Sequence, residues 1–300
     1  EVIVRNSTMT TKKEVAIEID YLLSIKDIME TYEEISALRM QHIRSSVLQS
    51  RDFLLEINSI FQQVKASYKN ELLKKKKIKD KNSLSFINNN GKTLLVLLCA
   101  NTGLYGDIIR RTFELFAEVY KKEQNDVCII GKVGLQFFQE QFGKADPPTY
   151  FQLPDDKLDQ ESLKKITDHL IQYEKIVVFY GQFQTVISQK PVMVSISGDR
   201  LASEEPAQPE IKYFFEPYLE KIMEFFEKEI LASIFEQTLY ESQLAKFASR
   251  MVSLNAASDN TKTKLKKMIF EKEKIKHRIM NKKQTGVFAS RLLWQEKYYG

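Results

Sequence analysis

Gly91-Lys92-Thr93 is the triplet in this chain most suggestive of chemistry. A Gly-Lys-Thr tail closes the loop that cradles nucleotide phosphates, where backbone amides and the lysine meet phosphate oxygens. Two features exclude that use here. The loop's first glycine should stand at position 86, which is Phe86. The phosphate loop also follows a strand and opens a helix, whereas this triplet precedes the apolar run Leu94–Cys99. A second Gly-containing turn, Asn101–Gly106, follows that run, at the place where α/β proteins often bind ligands. Its glycines are spaced G-x-x-G, which fits a structural turn. The histidines, His42, His169 and His277, stand at no metal-ligand spacing with one another or with Cys. Ser, Cys and His form no nucleophile motif. No catalytic, cofactor or metal site of the chain's own is expected.

Composition narrows the class. The 300 residues are 43% hydrophobic and 28% charged, as in a soluble, ordered protein. Cys99 and Cys128 both lie in apolar runs and read as buried, reduced thiols. The net charge of +5 suits an acidic protein surface. Lys74–Lys77 and the stretch from Lys262 to Lys283 carry the basic runs. No aromatic-rich motif accompanies them, so nucleic acid is not the expected partner. No stretch reaches the roughly 20 apolar residues of a membrane span. Residues 1–30 lack a signal-peptide pattern, because Glu14, Glu18 and Asp20 interrupt the apolar positions.

The elements that would position any site are marked by their breakers. Residues 1–90 and 218–285 contain neither Gly nor Pro. All seven prolines lie between Pro147 and Pro217, and eight of the ten glycines between Gly91 and Gly198. Inside a helix, Gly costs about 1 kcal/mol and Pro about 3, so two long helical arms flank a punctuated middle. In the C-terminal arm Tyr240, Leu244, Phe247, Met251, Leu254, Leu265, Met268, Ile275 and Ile279 follow steps of three and four. Ser258, Thr261 and Lys272 fill the gaps. This is the 3.5-residue repeat of a left-handed coiled coil. In the N-terminal arm Ile25, Ile28, Tyr32 and Ile35 carry a similar pattern, resumed by Leu54, Ile57, Phe61, Val64 and Tyr68. A helix from 218 to 285 would be roughly 100 Å long at about 1.5 Å per residue. The arms are expected to pair antiparallel, since a compact middle brings their ends together. The middle reads as α/β. Leu94–Cys99, Val127–Ile130, Ile176–Tyr180 and Val192–Ile196 have strand length and composition, and Leu104–Lys122, Val133–Phe142 and Leu158–Tyr173 are helix-like. That alternation predicts a largely parallel sheet. The expected division is 14–80 for the first coiled-coil helix, 91–200 for a Rossmann-like α/β domain and 212–290 for the second helix. Asp199–Pro209 reads as a loop.

Several segments resemble the gamma subunit of F-type ATP synthases. Leu95–Ile109, LVLLCANTGLYGDII, is similar to that family's D-R-G-L-C-G-G strand and turn, although the turn itself departs from it. Cys128–Phe138, CIIGKVGLQFF, is similar to I-G-x-K-G-x-x-F-F. Val177–Pro191 carries FYGQF and ISQKP where the family shows S-x-F-x-N and Q-x-P. Phe215-Glu216-Pro217 matches Y-E-P. The most specific match is Tyr240–Asn260, YESQLAKFASRMVSLNAASDN, against S-E-x-x-A-R-M-x-A-M-x-x-A-T-D-N. The resemblance spans roughly residues 15–288.

The resemblance implies a non-catalytic shaft inside a hexameric ring of alternating alpha and beta subunits, one copy per six, without cofactor. An epsilon-like subunit and a membrane rotor ring are the implied further partners. The implied place is peripheral, on the cytoplasmic side of a bacterial membrane, with the mitochondrial matrix side as alternative. By position, Arg44, Lys276, His277, Arg278, Lys282, Gln284 and Phe288 occupy the zone where family members touch the ring. Arg250, Met251, Asp259 and Asn260 fall on the matched motif and are expected to hold the helix pair and its surroundings together. The family's T-Q-E-L near the tip is Asn281-Lys282-Lys283-Gln284 here, and the chain runs on past Trp294. These departures, with Lys outnumbering Arg 35 to 10, raise the alternative of a specialised F-like ATPase of mycoplasma type. There, hydrolysis would drive a process such as motility. A non-rotating coiled-coil scaffold and an α/β enzyme with helical extensions are the other readings.

Overall fold

The computed structural model describes residues 12–74, 90–123, 125–143, 147–155, 158–196 and 219–299. Phe215–Pro217, Asp199–Pro209 and most of Lys74–Lys77 lie outside them. Helix α1 is Lys12–Lys74 and helix α5 is Leu219–Tyr299. Between them come β1 (Thr93–Leu98), α2 (Ile108–Lys122), β2 (Asp126–Ile130), α3 (Lys132–Phe142), β3 (Thr149–Phe151), α4 (Gln160–Leu170), β4 (Lys175–Phe183) and β5 (Gln189–Ser195). This is the expected class, two long helices pairing antiparallel and a central α/β domain. The chain forms two compact units, one of residues up to Glu34 with those from Leu254 onward, the other of Ile35–Ser253.

In the first unit, Val15, Ile19 and Leu22 of α1 bury against Leu265 of α5, with Met268 and Ile275 beside them. Glu18 pairs with Lys264 at 3.1 Å and Glu30 with Lys262 at 3.2 Å. Later residues of α1 meet earlier residues of α5, so the pair is antiparallel. Such exposed ion pairs add little to stability. They act more on orientation and register than on stability.

The α5 seam follows the expected register as far as Ile275, whereas Ile279, also expected on it, is exposed. Leu244, Phe247, Leu254, Ser258 and Leu265 are buried and Ile275 is half-buried. The α1 seam differs over 25–35. Ile28, Tyr32 and Ile35 are exposed, at 56%, 42% and 41%. The inward row lies one residue later, at Lys26, Met29, Glu33 and Ser36, and continues the register of Val15, Ile19 and Leu22. It runs on through Met40, Ile43 and Val47 into Leu54, Ile57, Phe61 and Val64. Polar side chains occupy the true seam while an apolar row runs beside it, and apolar periodicity alone selects the wrong phase.

In the second unit, the sheet order is β3-β2-β1-β4-β5. The first four strands are parallel, and β5 pairs antiparallel with β4, from Val177 opposite Ser195 to Phe183 opposite Gln189. The sheet is therefore mixed rather than wholly parallel, because a short hairpin joins β4 to β5 where the other strands are joined by helices. The three-residue β3 is an addition to the expected strands. The central strand β1 is buried on both faces, as its unbroken apolar run requires. Leu95 and Leu97 face α2 and α3, while Leu94, Val96 and Leu98 face α4. Helix α5 touches both layers. Leu231, Phe235 and Leu239 join the α4 side, and Leu244 and Phe247 join the α2 side. Between those two contacts α5 passes the carboxyl ends of the strands.

Candidate functional site, a helix-to-sheet lock and an exposed helical tip

In open α/β sheets ligands bind beyond the carboxyl ends of the strands. Here β1, β2 and β3 end side by side, and three loops converge there. The turn after β1 holds Asn101, Thr102, Gly103 and Tyr105. Gly131 follows β2 at φ +109°, where an added Cβ would lie 2.9 Å from the Ala100 backbone. Asp155 follows β3. Its carboxylate accepts from the amides of Asn101, at 3.0 and 3.1 Å, and of Thr102, at 3.1 Å. Thr102 Oγ1 donates to it at 3.0 Å. Asn101 Oδ1 in turn accepts from the Lys132 amide at the start of α3, at 3.1 Å.

Helix α5 closes this edge with two cations. Lys246 Nζ donates to the Cys99 carbonyl at 3.1 Å and stands 3.5 Å from Asp155 Oδ1. Its side chain and that of Asp155 are 8% and 11% exposed. Arg250 Nη2 donates to Thr102 Oγ1 at 3.1 Å and to the Gly103 carbonyl at 2.7 Å. The guanidinium lies 3.7 Å from the Tyr105 ring centroid. Ser249 Oγ donates to the Tyr105 carbonyl at 2.8 Å. The helix approaches so closely that a Cβ at Gly106, φ +63°, would lie 2.4 Å from Ser253 Oγ and 2.7 Å from Ser249 Oγ. A cavity at this edge, lined by Leu98, Cys99, Ile130, Leu153 and Lys246 among others, is about 10 Å³, room for one water. The crevice that would hold a ligand is filled by the chain's own helix.

Burial lowers the Lys246 pKa below its ordinary 10.5, and Asp155 works against the shift. The unfolded chain then holds that proton more tightly than the folded chain, so burying the charge costs stability at neutral pH. The cost is present in full below the folded pKa and is recovered as pH rises from there to 10.5. Lys246→Met has no such titration. Wild type should therefore gain stability relative to this variant as pH rises toward 10.5. Urea unfolding of both proteins across that range checks this. Burial pushes Cys99 and Tyr105 up to about 12, so in that window they titrate only in the unfolded chain, which affects both proteins alike and drops out of the comparison.

The Gly91–Thr93 triplet sits at the opposite, amino-terminal edge of the sheet. Thr93 opens β1, and Lys92 pairs with Asp126 at 3.4 Å. Among the described residues, neither a following helix nor a converging set of amides surrounds it. The isolated chain is expected not to bind ATP. Isothermal titration checks this, and micromolar affinity abolished by Lys92→Ala would contradict it.

The residues matched to ring contacts divide between elements. Arg44 is exposed on α1. Lys276, His277, Arg278, Lys282, Gln284 and Phe288 are all exposed on α5. From Lys276 to Trp294 every α5 residue is exposed, including Val287, Phe288, Leu292, Leu293 and Trp294 at 63–67%. Arg250 is buried, and its described hydrogen bonds run to the turn after β1 rather than to α1. Met251 is half-buried on the seam. Asp259 and Asn260 are exposed, and Asp259 pairs with Lys262 one turn along its own helix at 3.6 Å. Asp155 and Lys246 were not legible as site residues. One is a loop carboxylate and the other a helical lysine, both types usually solvated.

Residues 11–277 match the model of the ATP synthase family, and the chain belongs to that family. It is 24% identical over 285 residues to the ATP synthase gamma chain of Wolbachia sp. subsp. Drosophila simulans, covering 87% of this chain and 91% of that one. It is 20% identical over 291 residues to the gamma chain of Halothermothrix orenii, covering 93% and 97%. Its fold is similar to a chain in the central stalk and c-ring structure of Tetrahymena thermophila mitochondrial ATP synthase. That match has a TM-score of 0.55 at 18% identity, with 77% of this chain and 99% of that one aligned. These relatives favour the gamma-type shaft over the specialised ATPase and the scaffold.

Proposed function

We propose that this chain is the central rotor shaft of an F-type rotary ATPase, coupling ATP hydrolysis or synthesis in a surrounding ring to rotation. The observation that carries the reading is α5. It is an 81-residue helix, seamed to α1 as far as Ile275 and then exposed on every side. A shaft needs torsional stiffness, and a breaker-free helix pair supplies it. Its contacts with a ring must be remade at each step, so charge and shape should outweigh deep interlocking. Between Lys262 and Lys283, ten cations stand against two acids, a surface suited to acidic segments of beta-like subunits. Arg44, Lys276, His277, Arg278, Lys282 and Gln284 are the proposed polar contacts. The ring would be six alpha- and beta-like subunits around one copy of this chain. An epsilon-like subunit and a membrane rotor ring would lie beyond, with the complex peripheral on the cytoplasmic face of a bacterial membrane. No helix among the described residues is long and apolar enough to cross a membrane.

The apolar tip fits an apolar sleeve in such a ring. Burying each of its large side chains contributes roughly 1.5–3 kcal/mol, and in water the cluster would invite aggregation. Truncation after Thr285 is expected to weaken assembly or torque while ATP turnover at the ring's sites persists. Wild-type assembly and torque in the truncated complex would remove the bearing role. The shaft reading itself is tested by co-expression with alpha- and beta-like subunits and native mass spectrometry. One copy per six ring subunits is expected. Recovery of this chain alone, or in equal numbers with them, would overturn the reading.

A further inference from the structure

We propose that Lys246 and Arg250, anchored by Asp155 and Thr102, form a load-bearing lock that transmits torque from α5 into the α/β domain. The inference rests on the shaft reading and adds to it the residues through which force leaves the helix. Apolar packing joins α5 to both faces of the sheet, through Leu231, Phe235 and Leu239 on one side and Leu244 and Phe247 on the other. That packing is non-directional, and packed helices can shift past a neighbour by a whole turn, about 5.4 Å. Hydrogen bonds are directional and fail when the donor moves off its acceptor. Four of them join one helical turn to the loop after β1: Lys246 to Cys99, Ser249 to Tyr105, and Arg250 to Thr102 and Gly103. Thr102 Oγ1 completes a relay, accepting from Arg250 and donating to Asp155. Asp155 in turn gathers the ends of β1 and β3. Slippage of α5 would break all of these together and leave buried cations unpaired. The lock thus opposes motion along or about the helix, which the apolar contacts resist weakly.

Lys246→Met is the clean test, because Asp155 keeps its three donors from Asn101 and Thr102 when the ammonium is removed. A second variant adds Thr102→Val, which cuts the Arg250 relay. Each is assembled with an immobilised ring and fitted with a magnetic bead, either at Lys122 on the α/β domain or at Lys221 on α5. Both residues are exposed. The expected result is unchanged ATP hydrolysis and unchanged loaded rotation of the α5-borne bead. The domain-borne bead should lose rotation under a load that wild type carries. That difference between attachment points is one a general loss of stability would not produce. Full wild-type load on the domain-borne bead in both variants would overturn the lock. So would failure of Lys246→Met to assemble, which would make the residue a requirement of folding rather than of load. If wild type hydrolyses ATP in the complex and neither bead rotates, the shaft reading fails instead.

Discussion

Asp155→Ala is expected to lower the unfolding free energy of the chain by about 3–5 kcal/mol, the cost of leaving a buried charge uncompensated. The carboxylate is paired with the Lys246 ammonium, and it is also the acceptor for two turn amides and the Thr102 hydroxyl. Its removal takes the acceptor from the two amides and the hydroxyl and the counter-charge from the ammonium, in a site with room for about one water. The whole loss belongs to this network only if removing the cation as well restores much of it. The double variant Asp155→Ala with Lys246→Met should therefore recover a large part of the stability, as a double-mutant cycle by urea unfolding would show. A loss under about 1 kcal/mol in the single variant, within the range of an exposed pair, would mean that water reaches the site.

Leu254→Pro is expected to cost about 3 kcal/mol or more and to uncouple the motor. Leu254 is 5% exposed on the α5 seam. Proline there removes a backbone hydrogen bond and drives its ring against the carbonyl one turn back. Leu254→Ala is the control. It empties the same seam position, at about 2–5 kcal/mol, and leaves the helix unbroken. If stiffness is what matters, the proline variant loses coupled rotation while the alanine variant, at comparable stability, retains it. Unfolding curves and coupled turnover of both, measured in the assembled complex, decide the matter.

The distribution of breakers was enough to find both long helices, since runs this free of Gly and Pro leave few alternatives. The central strands were legible because each is a short, wholly apolar run. Strand β3 was not. It has three residues, Thr149–Phe151, and follows directly on Pro147-Pro148, so it carries no periodicity to read. The α1 seam over 25–35 was misphased by one residue, because Lys26, Glu33 and Ser36 hold the inward positions and Ile28, Tyr32 and Ile35 the outward ones. The lock was hidden for a related reason. Whether Lys246 is buried depends on what surrounds its helix, and periodicity reports only one face. A signal was nevertheless present. Ser242, Ala245, Ala248 and Ser249 place small residues around α5 through the stretch 242–250, all of it buried. Small residues on several faces of a helix mark close approach from several sides, and cations within such a stretch need partners. Asp155 could have been sought on that ground, although its place beside the β1 turn depends on the strand order.

The central claim is mechanical, and rotation tests it most directly. The complex of this chain with its alpha- and beta-like subunits is fixed to a surface through the ring, and a probe is attached at Lys122 of the α/β domain. On addition of ATP the account predicts sustained rotation in one direction, which stops when ATP is removed. A probe that stays still, or only fluctuates about one angle while the ring hydrolyses ATP, would contradict it.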